Sequence, residues 1–261
     1  MAQQNRKTLK EYFKAGNIPT EDNFSDLIDS MINIRNDGIN RSQMHGFHVE
    51  TTGEKNRLLS FFRSEDTRKP IWVIDMDTAG SAINFQHADV SENSENAPSR
   101  FTITNDGRIG VKNTSPLYEM DVNGTLCCSG RLGNYSNDVS ARLIPADGEW
   151  HELLENLHGC QAFEIMAGVG RARTGKYALM HAVAMNIYGN RGKIRYTQST
   201  YMSRNNAIRL KWSGNKKGFT LKMRTMCDYG ETDAGIINVQ YSITKLWFDQ
   251  TMKGCVCSRM Q

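Results

Sequence analysis

The sequence predicts a mainly β protein with an N-terminal α-helical segment, a short β shaft and a C-terminal β-sandwich or jelly-roll-like domain. Three observations carry this prediction. Apolar residues recur at helical spacing only in the first forty residues, short alternating runs between Gly and Asn turns fill the middle, and longer clean alternations gather after residue 142. These changes of texture divide the 261 residues into a helical segment over 1–40, a small β domain over 41–104, a shaft and linker over 105–141 and a sandwich over 142–261.

The first helix is expected from Lys7 to Lys14, with Leu9, Tyr12 and Phe13 on one side and Gly16 as its stop. A second begins at Thr20, a credible N-cap after Pro19, with Glu21 and Asp22 placing negative charge in the first turn. Phe24, Leu27, Ile28, Met31 and Ile34 then recur on one face until Asn36-Asp37-Gly38 ends the run. A helix of about four turns with one apolar stripe is marginal alone. The stripe must dock, either on the chain's own β domains or on other copies or a larger particle.

Short strands follow at Phe47–Glu50, Leu58–Phe62, Pro70–Asp75, Ala82–Phe85 and Phe101–Thr104, a spacing that suits a small β domain or an interleaved β prism. The polar stretch Asp89–Ser99 reads as a loop.

Residues 105–133 are the most specific part of the chain. Asn105-Asp106-Gly107 is a tight-turn signal in which the glycine supplies positive φ. Arg108 to Lys112 then alternate, with Ile109 and Val111 on one side and Gly110 leaving room for a close backbone. Pro116 ends that strand, Leu117, Met120 and Val122 mark a second apolar run, and Asn123-Gly124 closes it. Two strands this short do not stand alone, and neighbouring chains are one source of the missing partners.

Gly107-Arg108-Ile109-Gly110-Val111, Pro116 and Met120-Asp121-Val122-Asn123-Gly124 resemble the repeat G-[RK]-[IV]-G-[IV]-G-T-x-x-P-x-x-x-L-D-V-x-G of phage tail fibres and of fibre-like or baseplate-associated proteins of contractile injection systems. Lys112-Asn113 stands where that family has Gly-Thr, and Met120 where it has Leu. The motif occurs once, which fits a short fibre or connector better than a long filament. The resemblance implies an intertwined homotrimer that buries Phe24, Leu27, Met31, Ile34, Ile109, Val111 and Val122. The segment from Leu9 to Asn33 also resembles the N-terminus of other proteins in contractile-injection clusters, which implies an attachment role. The expected partners are therefore further copies of the chain, other tail, baseplate or fibre proteins, and a cell-surface glycan or protein. Incorporation into a particle, including one released outside the cell, follows from the same resemblance, while synthesis in the bacterial cytoplasm is expected because the N-terminus carries no secretory signal.

After residue 142, strands are expected at Ala162–Val169, Lys176–Tyr188, Ile194–Tyr201, Ala207–Trp212, Gly218–Cys227 and Ile236–Phe248. Ile208, Leu210 and Trp212 alternate with Arg209 and Lys211, and Phe219, Leu221 and Met223 alternate with Thr220, Lys222 and Arg224. A turn from Ser213 to Gly218 joins the two runs. Regular strands with almost no helical pattern argue for a sandwich or jelly roll. Trp150–Leu157 is open between a short helix and a first strand. Trp212 and Trp247 each continue an apolar face and are expected in the core.

Composition narrows the function classes. A net charge of +4 with no run of five or more basic residues gives only a weak nucleic-acid footprint, and no nucleic-acid partner is expected; no apolar stretch is long enough for membrane insertion. The N-terminus lacks the apolar region of a secretory signal. Six cysteines show no C-x-x-C pair, and His45 with His48 lack two further ligands, so neither a metal nor a cofactor is expected. Gly168-Val169-Gly170 leads into another β run instead of a helix, so it is a hairpin, not a dinucleotide fingerprint. No catalytic residue is marked. Arg171, Arg173, Arg191, Tyr196, Tyr201 and Arg204 gather in or near loops, and Arg and Tyr are the residue types that anchor binding surfaces. The function expected is that of a non-enzymatic structural subunit. The alternatives are a receptor- or carbohydrate-binding adhesin module and a glycan-degrading tail enzyme, for which no acidic pair is marked.

Overall fold

The computed structural model describes residues 4–33, 37–51, 56–62, 70–87, 100–135, 143–233 and 235–256. The expected loop from Asp89 to Ser99, Ile34 and Cys257 lie outside the described residues. The chain separates into two units, Met1–Cys127 and Cys128–Gln261.

In the first unit, α1 (Arg6–Tyr12) starts where Asn5 Oδ1 accepts from the amides of Lys7 and Thr8, each at 3.0 Å. Next, α2 (Glu21–Asp29) starts at Thr20 as expected, and Asn23 reciprocates with a capping-box bond. It ends at Ser30, whose amide and hydroxyl both donate to the Asp26 carbonyl, at 3.1 and 2.6 Å. The expected four-turn helix is therefore shorter, and Met31 lies beyond its cap. Phe13 and Phe24 meet edge to face at 5.6 Å, and the Tyr12 hydroxyl donates to Asp26 at 3.0 Å. That bond to a carboxylate raises the Tyr12 pKa. Neither helix buries a residue.

A hairpin of β1 (Ile39–Ser42) and β2 (Gly46–Val49) follows. Then β3 (Arg57–Phe61), β4 (Trp72–Met76), β5 (Ala82–His87), β6 (Phe101–Thr104), β7 (Ile109–Val111) and β8 (Met120–Val122) form one six-stranded sheet in chain order. The shaft strands do not make a hairpin of their own. The strand β7 pairs antiparallel with β6 and parallel with β8. Arg108 Nη1 donates to the Pro116 carbonyl at 3.2 Å, and the Leu117 amide donates to Asp121 Oδ2 at 3.1 Å, folding the intervening loop so that β8 arrives parallel. The boundary expected at 104/105 falls inside the β6–β7 hairpin, where Gly107 takes φ +82°. Gly110 admits the Asn113 carbonyl so closely that a Cβ would overlap it, which is the close backbone approach expected there.

In the second unit, β9 (Leu143–Pro145), β10 (His151–Leu157), β11 (Cys160–Arg171), β12 (Lys176–Ile187), β13 (Asn190–Tyr201), β14 (Ile208–Asn215), β15 (Gly218–Thr225), β16 (Glu231–Thr232), β17 (Gly235–Ile236) and β18 (Asn238–Lys245) are strands. A five-stranded sheet in the order β13-β12-β11-β18-β9 faces a three-stranded sheet in the order β10-β15-β14. Phe163, Ile165, Met180, Ala182, Val239 and Ile243 from the first meet Leu154, Ile208, Phe219, Leu221 and Met223 from the second in one buried core. The unit is mainly β and sandwich-like. Residues 151–157 resolve as a strand because Leu153, Leu154 and Leu157 are buried alongside β15, with bulges absorbing their uneven spacing. The run expected over 236–248 is broken by the short β16–β17 ribbon. Trp247 lies past β18 with its Nε1 donating to the Asp249 carbonyl, so it is not a core residue, whereas Trp212 packs edge to face on Phe219 at 5.6 Å. Among the described residues no helix is long and apolar enough to cross a membrane.

Candidate functional site

The six-stranded sheet is inverted relative to the usual arrangement of an apolar face inside and a polar face outside. Cross-strand partners share a face, and the register puts Ile83, Ile103, Ile109 and Met120 in one row. Phe85, Phe101, Val111 and Val122 form the next row. Met76, Ile74 and Trp72 of β4, then Leu59 and Phe61 of β3, extend the same face. Yet Met120 is 58% exposed, Phe61 50% and Trp72 43%, while Ile74, Met76, Phe85, Phe101, Ile109, Val111 and Val122 are only half-buried.

The opposite face carries Val73, Asp75, Ala82, Asn84, Thr102 and Gly110, and this is the covered side: Thr102 is fully buried and Asn84 is 8% exposed. Thr102 Oγ1 donates to Asn84 Oδ1 at 2.9 Å. Burial raises the pKa of the neighbouring Asp75 carboxyl, opposed by a hydrogen bond from Asn84 and by the charge of Arg57. Among the described residues of this unit, the buried apolar side chains are those of Val73, Ala82 and Pro116, and Pro116 lies in a loop outside the sheet's strands. A full burial of a large apolar side chain is worth roughly 1.5–3 kcal/mol, and ordering each residue costs about 1–2 kcal/mol in backbone entropy alone. Two buried side chains on its strands, Val73 and Ala82, make a small core for a six-stranded sheet whose other apolar residues are half-buried or exposed.

Of the residues expected at an oligomer interface, Ile109, Val111 and Val122 lie together on this face. Phe24 and Leu27 lie on α2 instead, with Phe24 half exposed beside Phe13, and Met31 is exposed past the helix end. Sequence reasoning missed Phe85, Phe101 and Ile103, whose alternation was legible but whose common face depends on strand register.

The residues expected as target-binding loops do not form one site. Arg171, Arg173, Tyr201 and Arg204 cluster at one end of the five-stranded sheet, where Asn206 Nδ2 donates to the Gly175 and Tyr201 carbonyls at 3.2 and 2.8 Å. Arg171 is structural there, donating to the Tyr229 carbonyl at 3.1 Å. Tyr201 stands edge to face with Tyr177 at 6.2 Å. Tyr196 lies in mid-strand, not in a loop, and its hydroxyl accepts from Arg209. Arg191 is at the opposite end, after the β12–β13 turn.

The strands β13 and β14 are edges of their sheets and face each other along a seam. Gln198 Oε1 accepts from the Ile208 amide at 2.8 Å and closes the seam near one end. Near the other it opens into a cavity of about 430 Å³ lined by Asn186, Gly189, Arg191, Gly192, Ile194, Lys211, Trp212, Ser213 and Gly214. Across the outer face of the three-stranded sheet, Arg209 stands opposite Arg224 and Lys211 opposite Lys222. Trp150 accepts both Lys211 and Arg224 over its ring, at 4.1 and 4.7 Å, and Glu152 pairs with Lys222 at 2.8 Å, which holds the Glu152 carboxyl below its usual range. Among the described residues no group of three or more His, Cys, Asp or Glu side chains could hold a metal ion.

No family model matches the sequence, and no curated protein matches it. Among solved structures, the chain is similar to the tailspike protein of Acinetobacter phage vB_ApiP_P1, at 10% identity and a TM-score of 0.25 over 47% of this chain. The match spans 26% of that tailspike chain, so the similarity is weak and partial.

Proposed function

We propose that this chain is a non-enzymatic structural subunit of a phage-tail-like contractile injection particle, a homotrimeric short fibre or connector made in the bacterial cytoplasm. In this reading the N-terminal helices attach the subunit and Cys128–Gln261 supplies contacts to a target or to other particle proteins. The observation that carries it is the incompletely covered apolar face of the six-stranded sheet, where half-buried Phe85, Phe101, Ile109, Val111 and Val122 lie side by side with exposed Ile103. Three such faces around a common axis would bury one another and give the first unit the core it lacks. The resemblance of Gly107–Gly124 to fibre repeats supplies the threefold expectation. The exposed side chains of Phe24, Ile28 and Met31 support attachment, because helices this short hold an apolar surface in place only when it docks.

Light scattering on the purified protein is expected to give the mass of three 29.5 kDa chains. Ile103→Lys, which puts a charge at the centre of the face, is expected to shift that mass to the monomer while the second unit keeps its β circular dichroism. A monodisperse wild-type monomer would overturn the assembly.

A further inference from the structure

The strand β12 is apolar on both of its sides. Ala178, Met180, Ala182 and Ala184 face the sandwich core, yet Leu179, Met185 and Ile187 on the other side are 57%, 52% and 58% exposed. Exposed Tyr177 and half-buried Val183 lie on that same outer side. An antiparallel sheet with one solvated side alternates apolar and polar along each strand, and a strand that is apolar on both sides is one that is covered on both. The outer side of the three-stranded sheet keeps to this rule, with Arg209, Lys211, Lys222 and Arg224. The stripe from Tyr177 to Ile187 breaks it over about 30 Å, at a rise of ~3.3 Å per residue, which is more than singly scattered surface residues account for.

Register extends the face to the neighbouring strands. Cross-strand partners share a face, so Met166 and Gly168 of β11 stand beside His181 and Leu179. On the other flank, Tyr201, Arg195 and Lys193 of β13 stand beside Tyr177, Val183 and Met185. Beyond Gly168 a groove of about 590 Å³ reaches Gln240 and Ser242 of β18, and no charged residue lines it. Glu164 is the only carboxylate in β11, β12, β13 and β18, and it is engaged by Arg131 and, at 2.9 Å, by His181. These strands therefore present no unpaired negative charge.

The rim of the face is positive. From Ile165 to Cys227 the sequence has no Asp or Glu but thirteen Lys and Arg, so the modest net charge of +4 conceals a strongly basic stretch through β12 to β15. Lys193 and Arg195 stand exposed on the edge strand β13, in no ion pair among the described residues, and Arg191 is exposed at its start. A cover formed by a protein surface would be served by a rim of both signs. A rim of one sign around an apolar stripe complements an anionic bilayer: tyrosines suit the boundary between water and hydrocarbon, and long basic side chains lay their stems along apolar surface while their charges meet lipid phosphates.

We propose that the outer face of β11, β12 and β13 binds the surface of an anionic lipid bilayer. Leu179, Met185 and Ile187 enter the headgroup boundary, and Lys193, Arg195 and Arg191 pair with headgroup phosphates, so the protein lies on the membrane without spanning it. The proposal names a target for the contacts assigned above to Cys128–Gln261 and rests on that part of the reading, but it uses residues of the second unit alone. A monomer that binds the bilayer would refute the assembly and leave this face standing, and a trimer that binds none would do the reverse.

The test is flotation of the full chain with vesicles of phosphatidylglycerol and phosphatidylcholine in equal parts, beside vesicles of phosphatidylcholine alone. Wild type is expected to bind the anionic vesicles about tenfold tighter, and to lose most of that preference between ~0.1 M and ~1 M salt. Inorganic phosphate at about 10 mM is expected not to release it, because a free anion offers the apolar stripe nothing. Leu179→Glu, at an exposed position, is expected to abolish binding with an unchanged melting temperature. Arg195→Glu is expected to weaken binding to the anionic vesicles more than about fivefold and to leave binding to phosphatidylcholine unchanged. Equal binding to both vesicles, binding to neither, release by phosphate, or normal binding by either variant would each overturn the proposal. A Leu179→Glu protein of lower mass than wild type in light scattering would give the stripe to a second copy and overturn it as well.

Discussion

The buried side of the six-stranded sheet turns on single polar residues, and Asp75 is the most informative of them. Its folded pKa is raised by burial above the ordinary carboxylate value. At low pH both folded and unfolded forms carry the proton and the group contributes nothing to the difference. As pH climbs through the carboxylate range, the folded form holds a proton that the unfolded form has released, so stability falls and stays reduced once the folded form ionises. Asp75→Asn is thus expected to melt higher than wild type at pH 7 and to converge with it near pH 3, read from melting temperatures across that range. A wild type more stable than the variant at pH 7 would reverse the sign of the burial effect. Some of this residue-level chemistry was legible beforehand. Gly107 and Gly110 announced their turn and close approach because a glycine's role is local. Asn186, Gly192 and Trp212 were not legible as neighbours, since they come together only when the hairpins β12–β13 and β14–β15 face across the seam, and no spacing along the chain encodes that meeting.

At the scale of elements, helix α2 was readable at its start and not at its end. Thr20, Glu21 and Asn23 form a local capping pattern, whereas the stop at Ser30 falls inside an apolar periodicity that runs on through Met31 and so carries no mark in the spacing. With nine residues, α2 is too short to persist without its cap and the contact of Phe24 on Phe13. Thr20→Ala removes a cap worth about 1 kcal/mol. It is expected to raise amide exchange throughout Glu21–Asp29 several-fold while leaving exchange in β11, β12 and β18 unchanged; undiminished protection of α2 would mean that packing, not capping, holds it. The strands behave differently. Each alternation in β5 through β8 could be seen, but register decides whether successive apolar rows align, and one slipped residue would have sent Ile103 and Ile109 to opposite faces. That alignment turned two isolated shaft strands into the end of a six-stranded sheet.

The two units differ most in where their apolar surface goes, and this separates their expected stabilities. The second unit buries Phe163, Met180, Leu221 and Met223 between its own sheets, so its unfolding is intramolecular. The first leaves an apolar sheet face exposed and, if the proposed trimer forms, draws its core from neighbouring copies. Calorimetry at a series of protein concentrations is then expected to resolve two transitions. The lower-burial unit should melt at a temperature that climbs with concentration, because mass action favours the assembled state, and the other should stay fixed. Ile103→Lys should remove or strongly lower the concentration-dependent transition alone. A single transition independent of concentration would show that the six-stranded sheet is stabilised within one chain, and the exposed rows from Ile83 to Met120 would then have lost their reason for being apolar.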